Sequence, residues 1–173
     1  ERIISTGGVK GVNTLVGIRG PQAVEANLHE ISDRIGLRAL VAEPTRLMAE
    51  FDDDGDRIVF YEDGERIPAE SVFMLLTEKL GFKSVVYDLC FSRSVKERLQ
   101  ELGISATRSK IGRLFVHRAM VKTGADFGGE VSGHFYFKSL NGLEAPELVL
   151  LQVLGILDRE QKTLTELTAN YRR

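Results

Sequence analysis

From about residue 45 to the C-terminus the apolar pattern changes period repeatedly, and that alternation restricts the fold more than any other feature of the chain. Apolar side chains recur every second residue in a half-buried strand and at steps of three and four in a helix. LMAEF (47–51) and RIVFY (57–61) carry the strand period on either side of a short acidic stretch, and EDG (62–64) is a turn signal. PAESVFMLLTEKLG (68–81) then predicts a helix opened by Pro68 and stopped by Gly81. KSVVYDLC (83–90) is a continuous apolar run of the kind found in buried strands. SRSVKERLQELG (92–103) places Val95, Leu99 and Leu102 on one helical face, and ISAT (104–107) predicts a short strand. IGRLFVHRAMVKTG (111–124) reads as a helix, GHFYFK (133–138) as a strand and LEAPELVLLQVLGIL (143–157) as a well-buried helix. TLTELTANY (163–171) opens with a capping box, Thr163 with Glu166 three residues on. Strands and helices alternating across short connections predict an α/β layered fold, a mixed sheet with flanking helices.

The first 44 residues are less regular. PQAVEANLHEISDRI (21–35) predicts a helix, with Pro21 in its first turn, Val24, Leu28, Ile31 and Ile35 at helical spacing, and Gly36 as a stop. GGVKGVNTLVGIRG (7–20) reads either as a strand with turns or as a loosely ordered lead-in.

Composition excludes several classes. With 43% hydrophobic and 28% charged residues the chain is globular rather than disordered. A formal net charge of -2 gives no general attraction to nucleic acid or to an anionic membrane, and the basic cluster RSKIGR (108–113) reads as a solvated face. No run of about eighteen apolar residues exists to span a membrane. ERIISTGGVKG at the N-terminus has no signal-peptide pattern, so the expected location is cytoplasmic. The single cysteine, Cys90, excludes an intrachain disulfide; lying in an apolar run, it is expected to be a small buried side chain.

Two stretches carry chemistry. In FDDDGDR (51–57) four aspartates fall at positions 52, 53, 54 and 56. Like charges this close repel, which calls for a cation or full solvation. In an extended segment Asp52, Asp54 and Asp56 converge while Asp53 points away. Three hard oxygen ligands suit Mg²⁺ or Ca²⁺. Gly55 permits a tight bend, and Arg57 suits a phosphate nearby. An EF-hand loop also begins D-x-D-x-D, but its sixth position is glycine and here is Arg57. A haloacid-dehalogenase-type phosphatase motif matches Asp52-Asp53-Asp54-Gly55 but has Thr or Val where Asp56 stands. A solvated acidic hairpin is the plain alternative. In FGGEVSGHFYF (127–137) glycines at 128, 129 and 133 predict a tight loop around Glu130, Ser132 and His134. A carboxylate and a hydroxyl there can bind adjacent sugar hydroxyls, and a histidine beside them can exchange a proton near neutral pH. His29 and His117 have no such company and are expected to be surface or packing residues.

At these stretches the chain resembles the α-D-phosphohexomutases, the phosphomannomutase/phosphoglucomutase superfamily. FDDDGDR resembles their DGDGDR metal loop and GGEVSGH their GE-x-SGH sugar loop, in the same order. TRSKIGRLFVHRAM (107–120) resembles the segment in which T-x-x-G leads into a helix, and NGLEAPELVLLQVLGIL with TLTELTANY resembles the helices that close the third domain. The resemblance implies a truncated second-domain-like segment over 1–64, carrying the metal loop, and a third-domain-like sugar-binding part over 65–173. It implies Mg²⁺ on Asp52, Asp54 and Asp56, and Arg57 beside a transferring phosphate. It further implies Glu130 and Ser132 on sugar hydroxyls, Arg113 near substrate, and His134 as a sugar contact and proton-transfer group. The implied reaction interconverts hexose 1- and 6-phosphates, such as those of glucose or mannose, through a phosphoserine and a bisphosphate intermediate.

The chain departs from the family at three places. Asp53 replaces a glycine, Arg113 replaces a histidine, and YDLCF (87–91) lacks a lysine that many relatives carry in this region. Neither a T-x-S-H-N-P-like serine loop nor an R-x-S-G-T-E-P-like phosphate clamp is present. The expected partners are therefore those phosphoserine and clamp domains, in a longer protein or a second chain. Two functional classes follow: part of an enzyme that is inactive alone, or a non-catalytic sugar-phosphate-binding module.

Overall fold

The computed structural model describes residues 16–35, 40–41 and 45–171. The glycine-rich segment before residue 16 and the Gly36 stop lie outside these described residues.

Among the described residues ten strands form two five-stranded sheets. The first contains β1 (Val16–Arg19), β2 (Leu40–Val41), β3 (Leu47–Phe51), β4 (Ile58–Glu62) and β5 (Glu65–Ile67), in the order β2-β1-β3-β4-β5. β1 runs parallel to β2 and β3, whereas β3, β4 and β5 are antiparallel neighbours. β3 and β4 are the two alternating segments of the sequence. Leu47, Ala49 and Phe51 are buried on one and Ile58 and Phe60 on the other, and Phe51 pairs with Ile58 across the acidic turn. An EF-hand is thereby excluded, because a hairpin flanks this turn where helices are needed.

The second sheet contains β6 (Ser84–Asp88), β7 (Ser105–Ser109), β8 (Phe127–Gly129), β9 (Phe135–Phe137) and β10 (Leu143–Glu144), in the order β10-β9-β8-β6-β7. β6 is parallel to β7 and β8; β8, β9 and β10 are antiparallel. The helices are α1 (Gln22–Ile35), α2 (Ala69–Lys79), α3 (Arg93–Glu101), α4 (Arg113–Thr123), α5 (Pro146–Glu160) and α6 (Leu164–Thr168). Each coincides with a predicted helix to within a few residues. The α6 capping box forms as read: Thr163 Oγ1 accepts from the Glu166 N–H, and Glu166 Oε2 accepts from the Thr163 N–H.

The second sheet buries both faces by strand alternation. Val85, Tyr87, Phe127, Phe135 and Phe137 join the large core with α2, α3 and α5. Val86 and Tyr136 face the other way and pack with Val116, Met120 and Ala125 under α4. In α2 every residue from Ser71 to Thr77 is buried, so this helix is enclosed on all sides. Phe73 on α2 stacks on Phe127 with ring centroids 5.2 Å apart.

Three local expectations change. FGG (127–129) is a strand rather than a loop, because it pairs on one side with β6 and on the other with β9. Its glycines serve close packing: a Cβ at Gly129 would meet Phe73 Cδ2 at 2.5 Å, and one at Gly128 would meet Met120 Sδ at 2.6 Å. KSVVYDLC ends as a strand at Asp88, and Cys90 is exposed in the following turn, its N–H donating to Asp88 Oδ1 at 2.7 Å. Leu102 caps the end of α3 and is also exposed. No described helix is long and apolar enough to cross a membrane.

Candidate functional site

The β3–β4 turn and the β8–β9 loop meet, although about 75 residues separate them in the chain. The joining contact is a backbone hydrogen bond from the Ile58 N–H to the Gly133 carbonyl, 3.1 Å. Gly133 has φ +99°, and a Cβ there would lie 2.7 Å from the Ile58 carbonyl oxygen. The position therefore requires glycine for both backbone conformation and space. Asp88 supports the loop from below, at the carboxyl end of β6. It is buried, and its Oδ2 accepts from the Val131 N–H at 3.0 Å. Crevices at the carboxyl ends of parallel strands are where open α/β sheets bind ligands.

The acidic turn does not keep the extended geometry assumed from the sequence. The Gly55 N–H donates to the Asp52 carbonyl at 3.0 Å, so the chain coils between them. Asp52 Oδ1 accepts from the backbone N–H groups of Asp56 and Arg57, both at 3.2 Å. Asp52 Oδ2 lies 3.3 Å from Arg57 Nε, and Asp56 Oδ1 lies 3.8 Å from the same nitrogen. Asp52 and Asp56 thus gather on Arg57, while Asp53 and Asp54 are exposed. Among the described residues no group of three or more histidine, cysteine, aspartate or glutamate side chains is gathered closely enough to hold a metal ion. Asp56 Oδ1 is buried without a hydrogen-bond partner. Such an oxygen is costly unless a cation or donor meets it.

On the β8–β9 loop Glu130 is buried, and both of its carboxylate oxygens carry hydrogen bonds. Glu130 is 2% exposed. Its Oε1 accepts from the Gly112 N–H at 2.8 Å, and its Oε2 accepts from the Tyr136 hydroxyl at 2.5 Å. His134 Nδ1 lies 3.2 Å from Glu130 Oε2 and 2.9 Å from Ser132 Oγ. Burial alone would push the Glu130 carboxyl up, but hydrogen bonds from His134, Tyr136 and the Gly112 N–H outweigh it and bring it below the usual range. Burial likewise pushes the Tyr136 phenol up, and its bond to Glu130 adds to the effect.

His134 joins the two halves. Its Nε2 accepts from Arg57 Nε–H at 3.2 Å and lies 3.3 Å from Asp56 Oδ1. With Nε2 accepting, the neutral ring carries its proton on Nδ1, towards Glu130 and Ser132. Burial opposes the charged ring, but the Glu130 hydrogen bond and the negative charges of Asp56 and Glu130 prevail, so its pKa is raised; Arg57 acts against them. Arg113, the first residue of α4, pairs through Nε with Glu144 Oε1 and places Nη1 3.6 Å from Asp56 Oδ2. Of the residues singled out in the sequence, Asp52, Asp56, Arg57, Arg113, Glu130, Ser132 and His134 come together, and Asp54 stands outside this network. His29 is exposed on α1, and His117 contacts the Asn141 carbonyl, away from the site.

Sequence reasoning missed Asp88, Gly112 and Tyr136. The aspartate closing an apolar strand is a signal for Asp88, since a buried carboxylate needs donors. Nothing local marks Gly112 or Tyr136 as partners of Glu130.

Comparison with known proteins supplies the family. Residues 68–173 match the model of phosphoglucomutase/phosphomannomutase, alpha/beta/alpha domain III. The chain is 35% identical over 141 residues to a phosphomannomutase of Methanocaldococcus jannaschii, covering 78% of this chain and 31% of that protein. It is 28% identical over 165 residues to a phosphoglucosamine mutase of Desulfotalea psychrophila, covering 91% of this chain and 34% of that protein. The chain thus spans about a third of the length of the curated relatives it matches. A phosphoglucomutase/phosphomannomutase family protein of Burkholderia thailandensis shares the fold with TM-score 0.81 at 20% identity, over 100% of this chain and 45% of that one. An N-acetylphosphoglucosamine mutase of Aspergillus fumigatus, solved with GlcNAc-6P and magnesium, gives TM-score 0.71 at 15% identity, over 98% of this chain and 47% of that one. The family match over residues 68–173, on a layered α/β fold shared with these enzymes, establishes that the chain belongs to the phosphoglucomutase/phosphomannomutase family of the α-D-phosphohexomutase superfamily.

Proposed function

We propose that this chain supplies the metal-binding and sugar-binding loops of a phosphohexomutase, an isomerase that interconverts hexose 1- and 6-phosphates through a phosphoserine and a bisphosphate. The observation that carries the reading is the His134 ring, whose two nitrogens face the two loops: Nε2 towards Asp56 and Arg57, Nδ1 towards Glu130 and Ser132. In this reading residues 1–64 are a truncated second-domain-like segment that carries the acidic turn, and 65–173 are the third-domain-like sugar-binding part. The last strand of the first sheet, Glu65–Ile67, lies at that border.

The residues of the acidic turn fit Mg²⁺. Asp56 presents a buried oxygen without a donor, and Asp52 is held beside it by backbone N–H groups. Asp52, Asp54 and Asp56 are the proposed ligands, Asp54 joining from solvent. Bound Mg²⁺ neutralises charge on a transferring phosphoryl group. Arg57 contributes a guanidinium on the same side, suited to phosphate oxygens. An ionised carboxylate offers about four acceptor positions; protein donors take three on Glu130, and the remaining one suits a sugar hydroxyl. Ser132, exposed at the loop tip, adds a second hydrogen-bonding group. His134 takes the proton of the attacking hydroxyl at Nε2, after Arg57 turns from that nitrogen to the phosphate. Arg113, held by Glu144, faces the mouth of the site as a further cationic contact.

The phosphoryl donor is assigned to the phosphoserine domain, and the far phosphate to the clamp domain. Proximity of a donor is what gives these loops their catalytic use. Calorimetric titration tests the reading: Mg²⁺ first, then glucose 1-phosphate and mannose 1-phosphate in its presence. Binding of metal and sugar phosphate is expected. Failure of both to bind would overturn the assignment of these loops. A second reading, a sugar-phosphate-binding module without catalysis, is favoured by one observation. The donors to Glu130, Gly112, Tyr136 and His134, all lie within the third-domain-like part, so the loop's geometry rests on contacts inside it. Turnover after a serine-loop domain is supplied would exclude it.

A further inference from the structure

The strand β9 reads FYF, and strand alternation sends its middle residue away from the phenylalanine core. Phe135 and Phe137 enter the large core, while Tyr136 goes under α4 among Val86, Val116 and Met120. Phenylalanine would fill that apolar site, so packing alone gives no reason for the hydroxyl. Tyr136 is fully buried, and a buried phenol needs a partner. Its partner is Glu130 Oε2, the oxygen that also faces His134 Nδ1. Space for the ring comes from Gly128, its register partner on β8, where a Cβ would lie 3.3 Å from Tyr136 Cβ. The other carboxylate oxygen is fixed by the Gly112 N–H at the start of α4. Two donors from outside the loop therefore grip the carboxylate from two elements, β9 and the β7–α4 connection.

We infer that Tyr136 is a positioning residue, whose phenol holds the Glu130 carboxylate in the orientation that fixes the His134 ring and presents the loop to a sugar phosphate. The inference rests on the proposed function for the sugar-binding step alone; the Tyr136–Glu130–His134 chain of contacts stands apart from it. Without the phenol, Glu130 keeps the Gly112 N–H but loses its restraint at Oε2. The carboxylate then rotates about its last side-chain bond, and His134 Nδ1 loses a fixed acceptor. A rigid supporting contact of this kind is what holds a binding group to within about half an ångström of its working position.

The test compares the 173-residue chain with its Tyr136→Phe variant, which keeps the ring and removes only the oxygen. Ring-¹⁵N NMR reads His134 at one fixed pH, without ligand. Calorimetry reads glucose 1-phosphate affinity in the presence of Mg²⁺. The His134 ring signals are expected to shift, and affinity to fall ~tenfold, the size of one charge-assisted hydrogen bond. In a Glu130→Gln background the same Tyr136 change should add little to either readout, because its effect passes through the carboxylate. Unchanged His134 signals in Tyr136→Phe would overturn the inference, as would an equal loss of affinity in both backgrounds. If the unaltered chain binds no sugar phosphate, the proposed function fails while the His134 spectra still decide on Tyr136.

Discussion

The acidic turn and the β8–β9 loop meet through the Ile58–Gly133 and Arg57–His134 hydrogen bonds, yet they are built in opposite ways. In residues 52–57 the charged groups are half-buried or exposed, and they are held mainly by one another. In residues 128–136 Glu130, His134 and Tyr136 are buried, and partners from other elements, the Gly112 N–H and the Asp88 carboxylate, help to hold the loop. Under the proposed function the turn rearranges to take a cation, with little consequence expected for the fold. The loop is already in place, and its chemistry and its stability share the same bonds. Binding and stability should separate in the first region and move together in the second.

The largest effect is expected where the two regions touch. Gly133→Ala puts a Cβ 2.7 Å from the Ile58 carbonyl at φ +99°, and should destabilise the chain by about 2 kcal/mol or more. Denaturant unfolding measures it, and a midpoint equal to that of the parent would mean the contact is dispensable. Glu130→Ala strips the Gly112 N–H and the Tyr136 hydroxyl of their acceptor. We expect a loss of about 2 kcal/mol together with weaker hexose-phosphate binding. Loss of one property without the other breaks the shared-bond account of the loop.

A smaller effect with a defined sign comes from the charge of Glu130. Its carboxyl lies below the usual range in the folded chain, so its ionisation contributes stability above its unfolded value of about 4.3. That contribution disappears as pH falls through the lower folded value. Glu130→Gln should therefore be less stable than the parent near neutral pH, and the gap should narrow on acidification through that window. Thermal melts at a series of pH values check it, and a gap that widens in acid would reverse the sign. The smallest change in stability is expected in the turn. Asp54→Ala should abolish Mg²⁺ binding and alter unfolding by no more than about 0.5 kcal/mol, as usual for an exposed side chain. Unchanged Mg²⁺ binding would remove Asp54 from the ligand set.

Much of this could be read from residue order. The hairpin of LMAEF and RIVFY, the helices with glycine stops and the Thr163–Glu166 box are local patterns, and each forms within a few residues of its expected place. The two loops were legible as unusual clusters of residue types. Local pattern misled where pairing across the chain decides. FGG contains two glycines and reads as a loop, yet neighbours on both sides make it a strand, and Met120 and Phe73 leave no room for side chains at Gly128 and Gly129. Cys90 extends an apolar run, yet the strand stops at Asp88 because that carboxylate binds the following turn and the β8–β9 loop.

Residue order carried the α/β class, the alternation of elements and the identity of the chemical groups, because period, caps and turn residues act over only a few positions. Tertiary structure alone decided which groups meet. It set His134 between Asp56 and Glu130, coiled the acidic turn so that Asp54 stands apart, and brought Tyr136 and Gly112 to the same carboxylate. Those contacts join residues from 4 to 78 positions apart, and the long-range ones are set by sheet register and helix packing rather than by neighbouring residues.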